Sequence, residues 1–154
     1  MRRSKEISAG IVAFRRRNQL EVLLAHPGGP FWAKKDDGAW TIPKGLVESG
    51  DNLVAAARRE FAEETSLLPP EPMMPLRPVN QRSGKIVHAF ACEADLDLAA
   101  FASNEFEIEW PPKSGKLRRF PEIDRIAYFP LPDAKRKILL YQKPLLDELQ
   151  ERFG

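Results

Sequence analysis

The chain predicts an α/β fold with mixed strand pairing, and three features carry that prediction. Two neighbouring apolar runs are separated by a short polar turn, a strongly helix-forming stretch follows, and strand-like and helix-like segments alternate again toward the C-terminus. At 154 residues the chain is long enough for one domain spanning 1–154, which at this size buries about 68–70% of the surface its unfolded form exposes. No repeat, low-complexity tract or long linker divides it.

The elements follow in order. "ISAGIVAF" (7–14) and "LEVLLAH" (20–26) are apolar and partly β-branched, and the polar "RRRNQ" between them predicts a hairpin of adjacent antiparallel strands. "PGGP" (27–30) breaks the pattern, "AKKDDG" continues as loop, and "AWTIP" (39–43) offers a third strand. A helix is expected over 52–66, with Asp51 as N-cap and Val54, Ala57, Phe61 and Leu68 on its apolar side. Pro69, Pro70, Pro72 and Pro75 end it, leaving "MMPLRPV" at most an edge strand. "KIVHAFACEA" (85–94) is a strand, and "SNEFEIEWPPKSG" (103–115) reads as loop. "RIAYFPL" (125–131) is another short strand. Asp133 is then expected to cap a helix starting at Ala134 with Ile138, Leu139, Leu145, Leu146 and Leu149 inward, kinked or divided by Pro144.

Composition narrows the function classes. Hydrophobic residues make up 43% and charged residues 30%, ordinary for a soluble globular protein. The net charge of +2, from 24 basic and 22 acidic residues, makes no case for nucleic acid. No apolar run reaches the ~18–20 residues of a membrane span, and "MRRSKEISAG" lacks the apolar core of a signal peptide. The single cysteine, Cys92, reads as a buried structural thiol, so a reducing, cytoplasmic setting is expected.

The chemistry concentrates in "KGLVESGDNLVAAARREFAEETSL" (44–67). At 100° per residue, Glu60, Glu63 and Glu64 fall within a single arc of the helix. Like charges at i,i+3 and i,i+4 each cost roughly 0.2–0.5 kcal/mol. A solvated acidic face is the bland reading of such a cluster. The alternative is that the carboxylates share a divalent cation, and their hard oxygens suit Mg²⁺ or Mn²⁺.

The surrounding pattern resembles the signature of the Nudix hydrolases: glycine, five residues, glutamate, seven residues, Arg-Glu, an apolar residue, any residue, Glu-Glu, any residue, glycine and an apolar residue. Here Gly45 opens it, Arg59 and Glu60 supply the Arg-Glu pair, and Phe61 the apolar position. Glu63 and Glu64 are the paired glutamates and Leu67 closes the pattern. Asp51 stands where the signature has glutamate and Ser66 where it has glycine. Asp is one methylene shorter, which puts an ion pair to Arg59 in question while leaving a capping role. Ser lacks glycine's access to a left-handed helix ending.

The resemblance implies an α/β/α sandwich, and cleavage of a diphosphate linkage in a nucleotide-like small molecule by water attacking in line at phosphorus. It implies that Glu60, Glu63 and Glu64 coordinate Mg²⁺, or Mn²⁺ in its place, with Lys44 adding its backbone carbonyl, and that Arg59 holds a glutamate in position. Glu60 is the first choice as general base. Within the class, dinucleoside polyphosphates rank slightly above nucleoside triphosphates, nucleotide sugars and diphosphoinositol polyphosphates. A monomer or homodimer is expected.

Outside the signature, "WTIPKG" (40–45) resembles the approach to it in enzymes that cleave dinucleoside or diphosphoinositol polyphosphates, which makes Lys44 a candidate phosphate contact. Trp40 and Trp110, with Trp32, are candidates for stacking on a base, although core packing is the usual fate of tryptophan. Glu107 and Glu109 could add a carboxylate from outside the helix. His26 and His88 show no metal-ligand spacing, and "HPGGPFW" (26–32) is expected to turn near the substrate entrance. Two other readings stay open. One is a catalytically silent nucleotide-binding sensor, against which all three helix glutamates argue. The other is a capped-RNA or 5′-triphosphate-RNA hydrolase, disfavoured by the weak net charge.

Overall fold

The computed structural model describes residues 6–154, so the basic opening "MRRSK" lies outside the described residues. The strands are β1 (Ile7–Arg17), β2 (Gln19–Pro27), β3 (Lys44–Leu46), β4 (Met74–Pro75), β5 (Val79–Asn80), β6 (Ile86–Glu93), β7 (Glu105–Glu109), β8 (Leu117–Pro121) and β9 (Ile123–Pro130). The helices are α1 (Leu53–Thr65), α2 (Leu131–Lys137) and α3 (Lys143–Phe153). Seven strands form one sheet in the order β4-β6-β1-β2-β9, with β3 beside β1 and β5 beside β6. β1 and β6 run parallel and the other pairs antiparallel, so the sheet is mixed as expected.

Both faces of the sheet are covered. Ala9, Ile11 and Ala13 of β1 meet Ala56, Ala57 and Phe61 of α1 on one side. Val12 and Phe14 meet Ala134 of α2 and Leu145, Leu146 and Leu149 of α3 on the other. A strand buried on both faces reads as a continuous apolar run, which is why β1 and β2 are so evident in the sequence. Cys92 lies in the α1-side core, where burial pushes its thiol up to about 11.

Several boundaries differ from the sequence reading. β1 and β2 run into "RRRNQ" until only Asn18 turns, at φ 64°, because Arg15 pairs with Glu21 and Asp95, and Arg17 with Asp95. "AWTIP" supplies only isolated bridges, Thr41 to Ala25 and Trp40 to Ile138, and the third strand starts at Lys44. Asn52, not Asp51, caps α1, its side chain accepting from the Ala55 N–H. Leu68 is 75% exposed because the left-handed residue Ser66 turns the chain before it, and Ala56 and Thr65 are buried instead. Residues 103–115 contain β7, half of a separate two-stranded sheet with β8. α2 starts at Leu131 after Pro130, so Asp133 lies in its first turn and pairs with Arg136 at 3.1 Å rather than capping it. Pro144 stands in the first turn of α3, where its missing N–H costs nothing, and so divides the two helices.

No helix among the described residues is long and apolar enough to cross a membrane.

Candidate active site

β1 shares one edge between two partners, pairing with β2 through Phe14–Arg17 and with β3 through Ser8–Gly10. β3 crosses closely: a Cβ on Gly10 would stand 2.7 Å from the Cβ of Lys44. The sheet thereby fixes Lys44 and Gly45, and the loop from Val47 carries the chain to the N-terminus of α1. The helix then returns over β3.

That return brings the glutamates to the strand. Glu60 folds so tightly onto Gly45 that a Cβ there would lie 2.0 Å from Glu60 Oε2. Glu64 Oε2 accepts from the Lys44 N–H at 3.1 Å. Arg59 is shared, with one guanidinium nitrogen 3.2 Å from Asp51 and 3.6 Å from Glu60. The shorter Asp51 therefore does reach Arg59, and it also accepts from the Glu48 N–H at 3.2 Å. What it gives up is the cap.

The electrostatics are those of anions in search of countercharge. Burial pushes the Glu64 carboxyl up to about 8, opposed by the Lys44 N–H and ammonium and reinforced by the charges of Glu122 and Glu60. Burial, and then Glu63, push Glu60 up against the pull of Arg59. Burial, and then Lys85, lower Lys44. Glu122 belongs to the turn between β8 and β9 and bears on both Glu60 and Glu64. Its charge reaches the cluster from outside the helix; Glu107 and Glu109 are exposed on β7, and Glu109 accepts from the Lys113 N–H at 2.7 Å. Its signal in the sequence was slight, a lone glutamate between Pro121 and Ile123.

The donor chemistry fits a hard divalent cation, since the clustered side chains offer carboxylate oxygens and neighbouring acid charge helps push both Glu60 and Glu64 up. Among the described residues no three carboxylates are gathered tightly enough to enclose an ion as they stand, since Glu60 is turned onto Gly45 and Glu64 onto the Lys44 amide. A cleft of about 870 Å³ borders Glu60 and is lined also by Ile7, Val47, Glu48, Asp51 and Leu53.

The tryptophans divide. Trp40 is 3% exposed, donates from Nε1 to Asp36 at 2.8 Å and meets His26 and Phe129 edge-on, so it is a core residue with no face open to a base. Trp110 is half-buried at the end of β7, edge-on to Phe31. His26 is fully buried between Asp124 and the Lys35 carbonyl. Ser66 adopts the left-handed conformation, φ 64° and ψ 16°, and its hydroxyl donates to the Ala102 carbonyl at 3.0 Å.

Comparisons with known proteins give the chain its family and its fold. The family model for the NUDIX domain matches residues 4–149. An RNA pyrophosphohydrolase from Caulobacter vibrioides (strain NA1000 / CB15N) is 30% identical, with 70% of this chain and 76% of that protein covered. Among solved structures, the NUDIX domain of Shewanella oneidensis NrtR complexed with ADP ribose is 18% identical and superimposes with a TM-score of 0.66, covering 99% of this chain and 90% of that one. A C. elegans Ap4A hydrolase binary complex is 22% identical with a TM-score of 0.64, covering 94% and 96%. At these identities the two structures show a shared fold.

Proposed function

The chain belongs to the NUDIX family and is a hydrolase of phosphoric anhydride bonds, and from that premise we propose that it acts as a one-domain, Mg²⁺-dependent pyrophosphohydrolase, Mn²⁺ substituting, on a nucleotide-like diphosphate. The observation that carries this reading is the return of α1 over β3, which sets Glu60 against Gly45 beside the cleft and Glu64 on the Lys44 amide.

Glu60, Glu63, Glu64 and Glu122, with the Lys44 backbone carbonyl, would hold the cation, which when bound offsets charge on the phosphoryl oxygens and acidifies a water. Arg59 holds Glu60 against Asp51, so the carboxylate does not have to be ordered when substrate arrives. Glu60 accepts the proton of the attacking water. It borders the cleft, whereas Glu64 is tied to the Lys44 amide. The Lys44 ammonium sets a positive charge beside the acidic cluster, where a substrate phosphate would meet it.

The test is a panel of dinucleoside polyphosphates, nucleoside triphosphates, nucleotide sugars and 5′-triphosphorylated RNA, assayed with Mg²⁺ and Mn²⁺ in ¹⁸O-water, with products identified by mass spectrometry. One labelled phosphoryl product per turnover is expected. Tight nucleotide binding by calorimetry with no labelled product on any member would instead establish a silent sensor.

A further inference from the structure

The hairpin of β7 and β8 has two chemically different faces. Side chains alternate along a strand and cross-strand partners share a face. The register Glu105↔Pro121, Glu107↔Arg119 and Glu109↔Leu117 therefore puts all three glutamates of β7 on one side. Phe106↔Phe120 and Ile108↔Arg118 occupy the other. Trp110, whose N–H donates to the Lys116 carbonyl at 2.9 Å, extends this second face by one pair. The loop after β2 lines it too: a Cβ on Gly29 would stand 2.7 Å from the Phe106 ring, and Phe31 meets Trp110 with ring centroids 5.4 Å apart. Phe31 nevertheless keeps 57% exposure.

Five cations on these two segments have no acid partner among the described residues, while Arg119 pairs with Glu105 at 3.7 Å. Lys34, Lys35, Lys113, Lys116 and Arg118 are exposed. Among the described residues none of them pairs with a carboxylate, although most other lysines and arginines do. One exposed ring, Phe31, beside the half-buried Trp110 and among free cations, with the β7 acids turned to the opposite face, is a combination that suits single-stranded nucleic acid: bases stack on the rings and phosphates meet the cations. A strand of five residues spans about 16 Å. If the acidic cluster beside Glu122 is where an anhydride is cleaved, a small nucleotide has its phosphates at the base of the hairpin, and the cations near Trp110 meet phosphate only when the ligand continues outward.

We propose that this face binds a single-stranded polynucleotide, its phosphorylated end at the acidic cluster and its following nucleotides running along β8 toward Trp110. The cleavage assignment supplies the direction of the bound strand; the binding itself stands on the hairpin. A net charge of +2 is no obstacle, because the register puts the unpaired Lys116 and Arg118 on the same face as Trp110.

Fluorescence anisotropy of the full chain with labelled, 5′-triphosphorylated single-stranded RNA in EDTA tests the surface without turnover. The expected result is binding whose log–log salt slope is about −2 or steeper, as three or more phosphate contacts require. Trp110→Ala weakens it roughly tenfold, Arg118→Glu and Lys116→Glu weaken it and flatten the slope, and a blunt duplex of the same sequence binds less tightly. Arg118→Glu leaves kcat/KM for a dinucleoside polyphosphate unchanged while lowering it for the RNA. The proposal is overturned by salt-insensitive binding, by equal affinity for the duplex, or by unchanged affinity in both Trp110→Ala and Arg118→Glu. An equal fall in kcat/KM for the small substrate also overturns it, making the face a small-molecule subsite. RNA binding as expected, with no cleavage of any panel member, supports the surface and rejects the hydrolytic reading alone.

Discussion

The Asp51 carboxylate and the Arg59 guanidinium meet at 3.2 Å, and the same guanidinium nitrogen lies 3.6 Å from Glu60. The loop before α1 thus reaches the acidic cluster through one arginine. Asp51→Asn is expected to change stability by less than about 1 kcal/mol, since both partners are partly exposed, yet to lower kcat roughly tenfold by freeing Arg59 and Glu60 from their shared geometry. Urea melts alongside steady-state kinetics check both parts, and Asp51→Glu, which restores the charge, should retain most of the turnover.

Gly45→Ala tests the packing of Glu60. With the new Cβ 2.0 Å from Oε2 and 2.3 Å from the carboxyl carbon, the flexible end of Glu60 has to swing away. The fold should survive, because a side chain rather than backbone gives way, while Mn²⁺ affinity and kcat both fall. A normal Mn²⁺ titration by electron paramagnetic resonance would remove Glu60 from the cation-binding set.

Glu64→Gln is expected to lower kcat by at least ~10²-fold, the scale for losing a positioned electrostatic or acid–base group. Its pH signature in the cation-free protein follows from a carboxyl raised from 4.5 to about 8. The folded state then holds a proton that the unfolded chain releases, so the Glu64 contribution to stability is intact below pH 4.5 and is lost as pH rises to about 8. Glu64→Gln should flatten that decline. Cation affinity runs the opposite way, tightening as pH rises because the carboxylate must be ionised, with proton release visible by calorimetry in two buffers.

Ser66 separates backbone from hydroxyl. A non-glycine residue in the left-handed region costs roughly 1–2 kcal/mol, and the bond from Ser66 Oγ to Ala102 returns about 0.5–1.5 kcal/mol. Ser66→Gly should therefore be nearly neutral, and Ser66→Ala destabilising by about 1 kcal/mol. Chemical denaturation midpoints decide between them.

What was visible in the sequence was visible for physical reasons. β1, β2 and β6 are buried on both faces and so appear as unbroken apolar runs, and α1 announces itself through helix formers closed by proline. β7 carried its own signal, the alternation Glu-Phe-Glu-Ile-Glu, but a hairpin standing off the main sheet needs only one apolar face and is easily taken for loop. Trp40 and Trp110 look alike in a sequence; only packing against His26 and Phe129 sends the first to the core. Asp51 and Asn52 are adjacent and both able to cap, and the pull of Arg59 on Asp51 assigns the cap to Asn52.

By itself the sequence determined that three carboxylates share one flank of a helix, since a spacing of three and four residues allows no other arrangement once the helix forms. It likewise placed Gly45 at the head of the signature, though that the Glu60 carboxylate lies against this glycine came only from the fold. Tertiary structure alone decided which acid from elsewhere joins them, because Glu122 is brought near Glu60 and Glu64 by strand order, and electrostatic proximity between distant segments leaves no periodicity to read.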